Sequence, residues 1–97
     1  MNIQAMMKQA QAMQKDMMKI KDEVDNMEFT GESSLVKITV KGNKEVVKVD
    51  IDSNGLESDD IEMLQDMIMI AINEANKKAD EMLEKKMGKF GNIPGLF

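Results

Sequence analysis

The chain of 97 residues is long enough for one domain with a thin core, and it contains no cysteine, histidine, tyrosine or tryptophan. This composition excludes disulfides, thiolate or imidazole metal sites, histidine acid–base catalysis and an aromatic platform for bases, so we expect no enzyme, no cofactor and no small-molecule substrate. The net charge is −5 and no apolar run is long enough to span a membrane, which favours a cytoplasmic protein without membrane partners and, on total charge alone, disfavours nucleic-acid binding.

A heptad pattern occupies the N-terminal quarter of the chain. Apolar residues recur at alternating spacings of three and four, at Ile3, Met6, Ala10, Met13, Met17, Ile20, Val24 and Met27. Because no glycine or proline interrupts it, this pattern predicts a helix over residues 3–26 with one apolar seam for packing. Lys8, Lys15 and Lys19 fall outside the seam, where a single lysine is ordinarily a solvated side chain.

Two segments of alternating polarity follow, at residues 35–41 and 44–52, and they predict a β-hairpin. The apolar residues that share one face are Val36, Ile38 and Val40 in the first segment and Val47, Val49 and Ile51 in the second. Gly42-Asn43 between the segments suits a two-residue type II′ turn. That turn would place Ile38 opposite Val47, and Val36 opposite Val49.

An acidic run joins the hairpin to the second helix. It begins with DIDSNG at residues 50–55, which resembles the first half of a calcium-binding loop. Such a loop needs a bidentate glutamate where this chain has Ile61, and here a strand precedes it instead of a helix. We therefore favour a strand-to-helix connection capped by Ser58, with Asp59, Asp60 and Glu62 in the first helical turn. Weak calcium binding through Asp50, Asp52 and Asn54 is the alternative.

The last helix is predicted over residues 58–87 by the same three-four spacing. In its middle, residues 67–72 are all apolar, and a helix that is apolar on every side must be covered on more than one side. The sheet can cover one side, and either the first helix or a second copy of the chain can cover the other. We favour a homodimer, because monomers rarely expose so large an apolar patch. The expected interface residues are Met67, Ile68, Met69, Ile70 and Ile72.

Taken in order, these elements predict an α+β protomer of the α-β-β-β-α type. It has a long N-terminal helix, a three-stranded antiparallel sheet and a long C-terminal helix. Residues 27–32 supply the first strand, with Phe29 turned inward and Gly31 at a bend. Residues 1–88 form a single dimerising domain, and the glycine-rich residues 89–97 form a flexible C-terminal tail.

Charge is unevenly distributed along the chain. Residues 1–21 carry four lysines and one carboxylate, residues 77–97 carry five lysines and three carboxylates, and residues 50–66 carry seven carboxylates and no lysine. Electrostatic screening at physiological salt has a length of about 8 Å. The basic regions near both termini can therefore attract phosphate if the fold keeps the acidic middle at a distance.

Several motifs, in this order and at these spacings, resemble the bacterial YbaB/EbfC family of nucleoid-associated DNA-binding proteins. They are MMKQAQAMQ at residues 6–14, GES at 31–33, VKITV at 36–40, VDID at 49–52, DDIEMLQD at 59–66, Asn73 with Ala75, and Pro94-Gly95. The resemblance covers nearly the whole chain. It implies an α-β-β-β-α protomer and a tight homodimer with projecting helices. It also implies a non-enzymatic protein of the cytoplasm and nucleoid that binds double-stranded DNA and affects gene expression.

The lysines near both ends of the chain are the residues that we expect to contact DNA phosphates. They are Lys8, Lys15, Lys19, Lys85, Lys86 and Lys89. Because lysine carries a point charge and no bidentate fork, we expect backbone contacts, low sequence specificity and dissociation constants of roughly 10⁻⁴ to 10⁻⁶ M at physiological salt. The alternative is a helical protein-interaction module that associates with DNA indirectly, and a weak calcium-binding regulator is a more distant one.

Overall fold

The computed structural model describes residues 2–90, except for the side chain of Lys89. The elements are helix α1 (Ile3–Asp25), strands β1 (Glu28–Ser33), β2 (Val36–Lys41) and β3 (Val46–Ile51), and helix α2 (Ile61–Met87), with short 3-10 turns at Ser53–Gly55 and Gly88–Phe90. This order confirms the predicted α-β-β-β-α fold. Most of the predicted tail, residues 91–97, lies outside the described part. No helix within residues 2–90 is long and apolar enough to cross a membrane.

Helix α1 enters the core only with its C-terminal part. Asn2 caps its first turn, since the side-chain oxygen accepts hydrogen bonds of 3.0 and 3.3 Å from two backbone N–H groups. Ile20 and Val24 are buried, whereas Ile3 and Met6 at the other end are exposed. The molecule measures 70 × 21 × 14 Å, so it is elongated, and the N-terminal half of α1 projects from the packed body.

The sheet is antiparallel with strand order β1-β2-β3, and α2 packs across β1 and β2. The side chains that fill the space between sheet and helix are Val36, Ile38 and Val40 of β2 and Ala71, Ala75 and Ala79 of α2, each at most 1% exposed. Phe29 of β1 is also buried, as predicted. Burial of these apolar side chains is the main stabilising contribution of the fold.

Gly31 lies within β1 and not at a bend, so that prediction is wrong. A Cβ atom at this position would lie 2.0 Å from the backbone oxygen of Ala71 and 2.7 Å from the backbone nitrogen of Ala75. Glycine is needed here because the strand and the helix backbone approach too closely for any side chain.

The register of the β2–β3 hairpin also differs from the predicted one. Ile38 pairs with Val49, and Val36 pairs with Ile51. Both partners lie two residues further along β3 than a two-residue turn would place them. Because side chains alternate with a period of two, a shift of two residues leaves Val49 and Ile51 on the predicted face.

Two local features each add one residue to the hairpin and so cause this shift. The turn is one residue longer than predicted, because Lys44 adopts a left-handed conformation with φ of 77° and the backbone N–H of Lys41 donates to the oxygen of Glu45 at 2.8 Å. A bulge in β3 opposite Val40 adds the second residue.

The conformation of Lys44 predicts that Lys44→Gly stabilises the protein. Glycine adopts φ of 77° without the steric cost of a side chain, so we expect the free energy of unfolding to rise by about 0.5–1 kcal/mol. The ion pair with Asp80 is lost, but both side chains are well exposed and the pair contributes little. Urea denaturation followed by circular dichroism measures the change. Lys44→Ala, which loses the same ion pair and keeps the strained backbone, should show no stabilisation.

Helix α2 begins at Ile61, three residues after the predicted start. Its N-cap residue is Asp60 and not Ser58, and the Asp60 carboxylate makes no capping bond. That carboxylate accepts a hydrogen bond of 2.9 Å from the backbone N–H of Glu57, and Asp52 accepts one of 3.1 Å from the N–H of Asn54. These bonds fold the acidic run into turns. Within the described residues, no group of three or more carboxylates is placed to hold a metal ion.

Candidate nucleic-acid interface

Three lysines form a line along the side of α1 that is turned away from the apolar seam. Lys8, Lys15 and Lys19 are separated by seven and four residues, so their side chains leave the helix in directions that differ by at most about 40° around its axis. All three are exposed. The line extends over about 16 Å of the helix. We call these three residues the α1 lysine stripe.

Helix α2 brings one of its lysines next to this stripe. A hollow between the two helices is lined by Asp16, Lys19, Ile20, Glu23 and Lys86. Lys85 points about 100° away from Lys86 around the helix and lines a different hollow, beside Phe29. Of the two adjacent lysines in the prediction, the structure therefore places Lys86 near the stripe and Lys85 on another side of α2.

Most lysines outside the predicted phosphate-binding set make ion pairs, whereas the predicted lysines with described side chains make none. Five lysines lie within 4 Å of a carboxylate: Lys21 with Asp25, Lys37 with Glu32, Lys44 with Asp80, Lys48 with Asp50, and Lys78 with Glu74. None of these five belongs to the predicted set. The stripe, Lys85 and Lys86 make no ion pair with a described carboxylate, and the side chain of Lys89 lies outside the described part. The unpaired ammonium groups can approach a phosphate without first losing a partner.

One further exposed lysine, Lys77 of α2, is also unpaired among residues 2–90, and it is absent from the predicted set of phosphate contacts. Helical spacing alone does not identify it. A helical lysine finds a partner most readily four residues away. Lys78 pairs with Glu74 four residues before it, whereas Lys77 makes no ion pair with Glu81 four residues after it.

The outer face of the sheet, which points away from α2, carries balanced charge. Its charged residues are Glu28, Glu32, Lys37, Lys41, Lys48 and Asp50. Lys37 and Glu32 are 3.8 Å apart, and Lys48 and Asp50 are 3.6 Å apart. Because three carboxylates offset three lysines, this face offers no net attraction to a phosphate backbone.

The basic and acidic parts of the molecule lie at opposite ends of α2. Glu62 lies in the first turn of the helix, and Lys85 and Lys86 lie in the last. About 36 Å of helix separates Glu62 from Lys86. This distance exceeds the screening length of about 8 Å several times, so carboxylates at the start of α2 act only weakly on the lysines at its end, and the carboxylates near Lys19 and Lys86 are Asp16 and Glu23. The negative total charge is therefore compatible with local attraction of phosphate.

A second notable surface is apolar and lies on β3. Val47, Val49 and Ile51 are 43, 50 and 40% exposed, although α2 buries the neighbouring strands. Val49 and Ile51 share the face of their buried β2 partners, so their exposed side chains lie beside α2, whereas Val47 is the extra residue of the bulge and has no β2 partner. We call these three residues the β3 apolar strip.

The predicted dimer-interface residues on α2 differ in their burial. Met69 and Ile70 are 57 and 54% exposed, and Ile68 and Ile72 are half-buried. Met67 is buried within its own protomer, which leaves little of its side chain for a partner. Helix α1 does not cover Met69 or Ile70, so the centre of α2 keeps an exposed apolar side in the single chain.

Comparison with known proteins identifies the family. Residues 1–93 match the YbaB/EbfC DNA-binding family. Nucleoid-associated proteins from Pelotomaculum thermopropionicum and Alkaliphilus metalliredigens are each 46% identical to this chain over 101 aligned positions, gaps included. Each alignment covers 99% of this chain, and the two cover 96% and 89% of the respective relatives. The crystal structure of an uncharacterized protein from Helicobacter pylori has the same fold, with a TM-score of 0.76 at 21% identity over 95% of this chain and 99% of that one. The chain thus belongs to the YbaB/EbfC DNA-binding family, which groups nucleoid-associated proteins and is not an enzyme class.

Proposed function

We propose that this protein binds double-stranded DNA as a homodimer, through contacts between lysines and phosphates that have little sequence specificity. The observation that carries the proposal is the α1 lysine stripe, which sets three exposed, unpaired lysines in line on a projecting helix. Membership of a DNA-binding family supports DNA as the ligand, and the nucleoid-associated relatives support a location in the bacterial nucleoid. An effect on gene expression would follow if the bound protein blocked the access of other DNA-binding proteins to the same DNA.

Lysine chemistry explains why the contacts should be to the backbone. An ammonium group is a compact point charge, whereas reading guanine or adenine edges favours the bidentate geometry of arginine, asparagine or glutamine. All thirteen cationic side chains of this protein are lysines. The free energy of binding should therefore come mainly from the release of counterions from phosphates, and it should depend steeply on salt.

The exposed apolar surfaces support the homodimer. A second copy would remove from water the β3 apolar strip together with Met69 and Ile70 of α2, which the single chain leaves exposed. A dimer would also double the number of lysines that can act on one stretch of DNA. Both effects favour a pair of protomers over a single one.

Neutralising the stripe tests the DNA-binding mechanism directly. The triple variant Lys8→Gln, Lys15→Gln, Lys19→Gln removes up to six phosphate contacts from a dimer. We expect the slope of log affinity against log salt to become shallower by about 5, and the affinity at low salt to fall by about 100-fold. Fluorescence anisotropy with a labelled duplex at several salt concentrations measures both quantities.

The matched control is the triple variant Lys37→Gln, Lys44→Gln, Lys48→Gln, which changes the net charge equally but replaces lysines that already have carboxylate partners. We expect a much smaller effect on binding. Equal losses in the two variants would mean that total charge, and not the stripe, governs binding. Binding by the unmodified protein that does not weaken with salt would contradict the phosphate mechanism itself.

The exposed β3 apolar strip also favours a second candidate function, a module that binds another protein and reaches DNA through it. A pull-down from lysate with and without nuclease separates the two functions. Partners that persist after complete DNA digestion, together with no binding of pure duplex by the pure protein, would favour the interaction module.

A further inference from the structure

The apolar seam of α1 extends beyond the part that packs inside the protomer. Ile20 and Val24 are buried in the core, whereas Ile3, Met6 and Met13 of the same seam are 70, 52 and 38% exposed. Ala10 lies between them and is also exposed. We call Ile3, Met6, Ala10 and Met13 the outer seam. The part of the chain that the structure describes contains no third helix that could cover it.

We propose that the outer seam pairs with the outer seam of a second copy, so that two homodimers join through their projecting α1 helices. This inference rests on the proposed DNA-binding function. Alternating spacings of three and four residues are the pattern by which two helices pack side by side. The outer seam continues, in the same register, the seam that already packs within the protomer, and Ala10 at its centre permits a close approach of two backbones.

The charges around the outer seam permit this pairing. The positions that flank a heptad seam decide whether two helices attract or repel. Between residues 3 and 15 these positions are the uncharged Met7, Gln9 and Gln14. Lys8 and Lys15 lie on the opposite side of the helix, so the two copies can meet without bringing lysine against lysine.

The same geometry has a consequence for DNA. The α1 lysine stripe lies about 180° around the helix from the seam. Two α1 helices that pair through their seams therefore present their stripes on opposite outer sides, about 20 Å apart. Stripes that point in opposite directions face two different duplexes. The assembly that results links separate DNA segments.

Disulfide formation tests the pairing without any DNA. The chain has no cysteine, so Ala10→Cys introduces a single thiol into the seam. We expect mild oxidation to link two chains through this thiol, and Gln11→Cys, exposed on another side of the helix, to stay monomeric on a denaturing gel. An outer seam that stays in water or is covered by residues 91–97 of its own chain would give no such link, and the proposal would be overturned.

The same cysteine separates contacts between dimers from contacts within one dimer. In a background of Val49→Gln and Ile51→Gln, which removes two residues of the β3 apolar strip, we expect the Ala10→Cys link to persist, since the two contacts use different surfaces. Loss of the link in that background would show that the α1 helices meet inside the homodimer, and would overturn the joining of dimers.

Capture of one duplex by another tests the consequence for DNA. An immobilised duplex, loaded with protein, should retain a second, labelled duplex. Met6→Gln with Met13→Gln keeps good helix formers but removes the apolar contact, so we expect about tenfold less capture, with affinity for a single duplex unchanged. Undiminished capture would overturn the inference. If the unmodified protein bound no duplex, the proposed function would fail instead, and the disulfide result would still decide the pairing.

Discussion

Gly31→Ala is expected to lower the free energy of unfolding by about 3 kcal/mol, a large part of the stability of a domain of this size. The new Cβ atom would lie 2.0 Å from the backbone oxygen of Ala71. Because the obstacle is backbone in the middle of α2 and not the end of a flexible side chain, β1 and α2 must move apart. The separation loosens the alanine contacts that hold the helix on the sheet. Urea denaturation followed by circular dichroism measures the loss.

Gly88→Ala is the matched control for this prediction. Gly88 follows α2 with helical φ and ψ of −58° and −28°, and within residues 2–90 no atom beyond its chain neighbours and the local helix backbone lies within 4 Å of the Cβ that would be added. Alanine there should stabilise the protein by about 0.5–1 kcal/mol. A stable, native-like Gly31→Ala protein would contradict the close approach of β1 to α2.

The double variant Val49→Gln, Ile51→Gln is expected to convert the proposed homodimer into monomers. Val49 and Ile51 are 50 and 40% exposed in the single chain, so each substitution should remove about 1 kcal/mol of the apolar burial that dimerisation would gain. A dimer contains four such positions. The dimer dissociation constant should rise by about 10³-fold or more. Sedimentation equilibrium at micromolar protein concentration measures this change. Affinity for DNA should fall with it, because a monomer presents half as many lysines.

Lys48→Gln with Asp50→Gln is the control, because these residues alternate with Val49 and Ile51 on the same strand and face the other side of the sheet. This pair of substitutions introduces the same residue type and leaves the net charge unchanged. We expect the dimer to remain intact. A monomeric unmodified protein, or a dimer that survives both double variants, would exclude the β3 apolar strip as the interface.

The sequence predicts the elements well because each one has a strong periodic pattern. The heptad seam gives the start of α1 at Ile3 and its end to within one residue, and alternation gives the buried face of β2. The register of the hairpin is not predictable in the same way. It depends on a lysine in a left-handed conformation, where glycine is usual, and on a bulge that sets Val46 and Val49, three residues apart, opposite the buried Val40 and Ile38. No characteristic residue type in the sequence marks either feature.

The candidate site is predictable only in part. Spacing along α1 places Lys8, Lys15 and Lys19 on one side, since a helix converts sequence distance directly into direction. Spacing also separates Lys85 from Lys86, because adjacent helical residues diverge by about 100°. The ion pair of Lys44 with Asp80 could not be foreseen, because it joins a hairpin turn to a distant helix and exists only after the sheet has packed.

The separation of charge along α2 has a consequence for how the protein meets DNA. A positive region at one end and a negative region at the other give the molecule an electric dipole along its long axis. If the protein binds DNA as proposed, we expect that dipole to turn an approaching protein so that its lysine-bearing end leads and the acidic run at residues 50–66 trails. Successful encounters are then more frequent than random orientation would allow, and they become rarer as added salt weakens the field that aligns the protein.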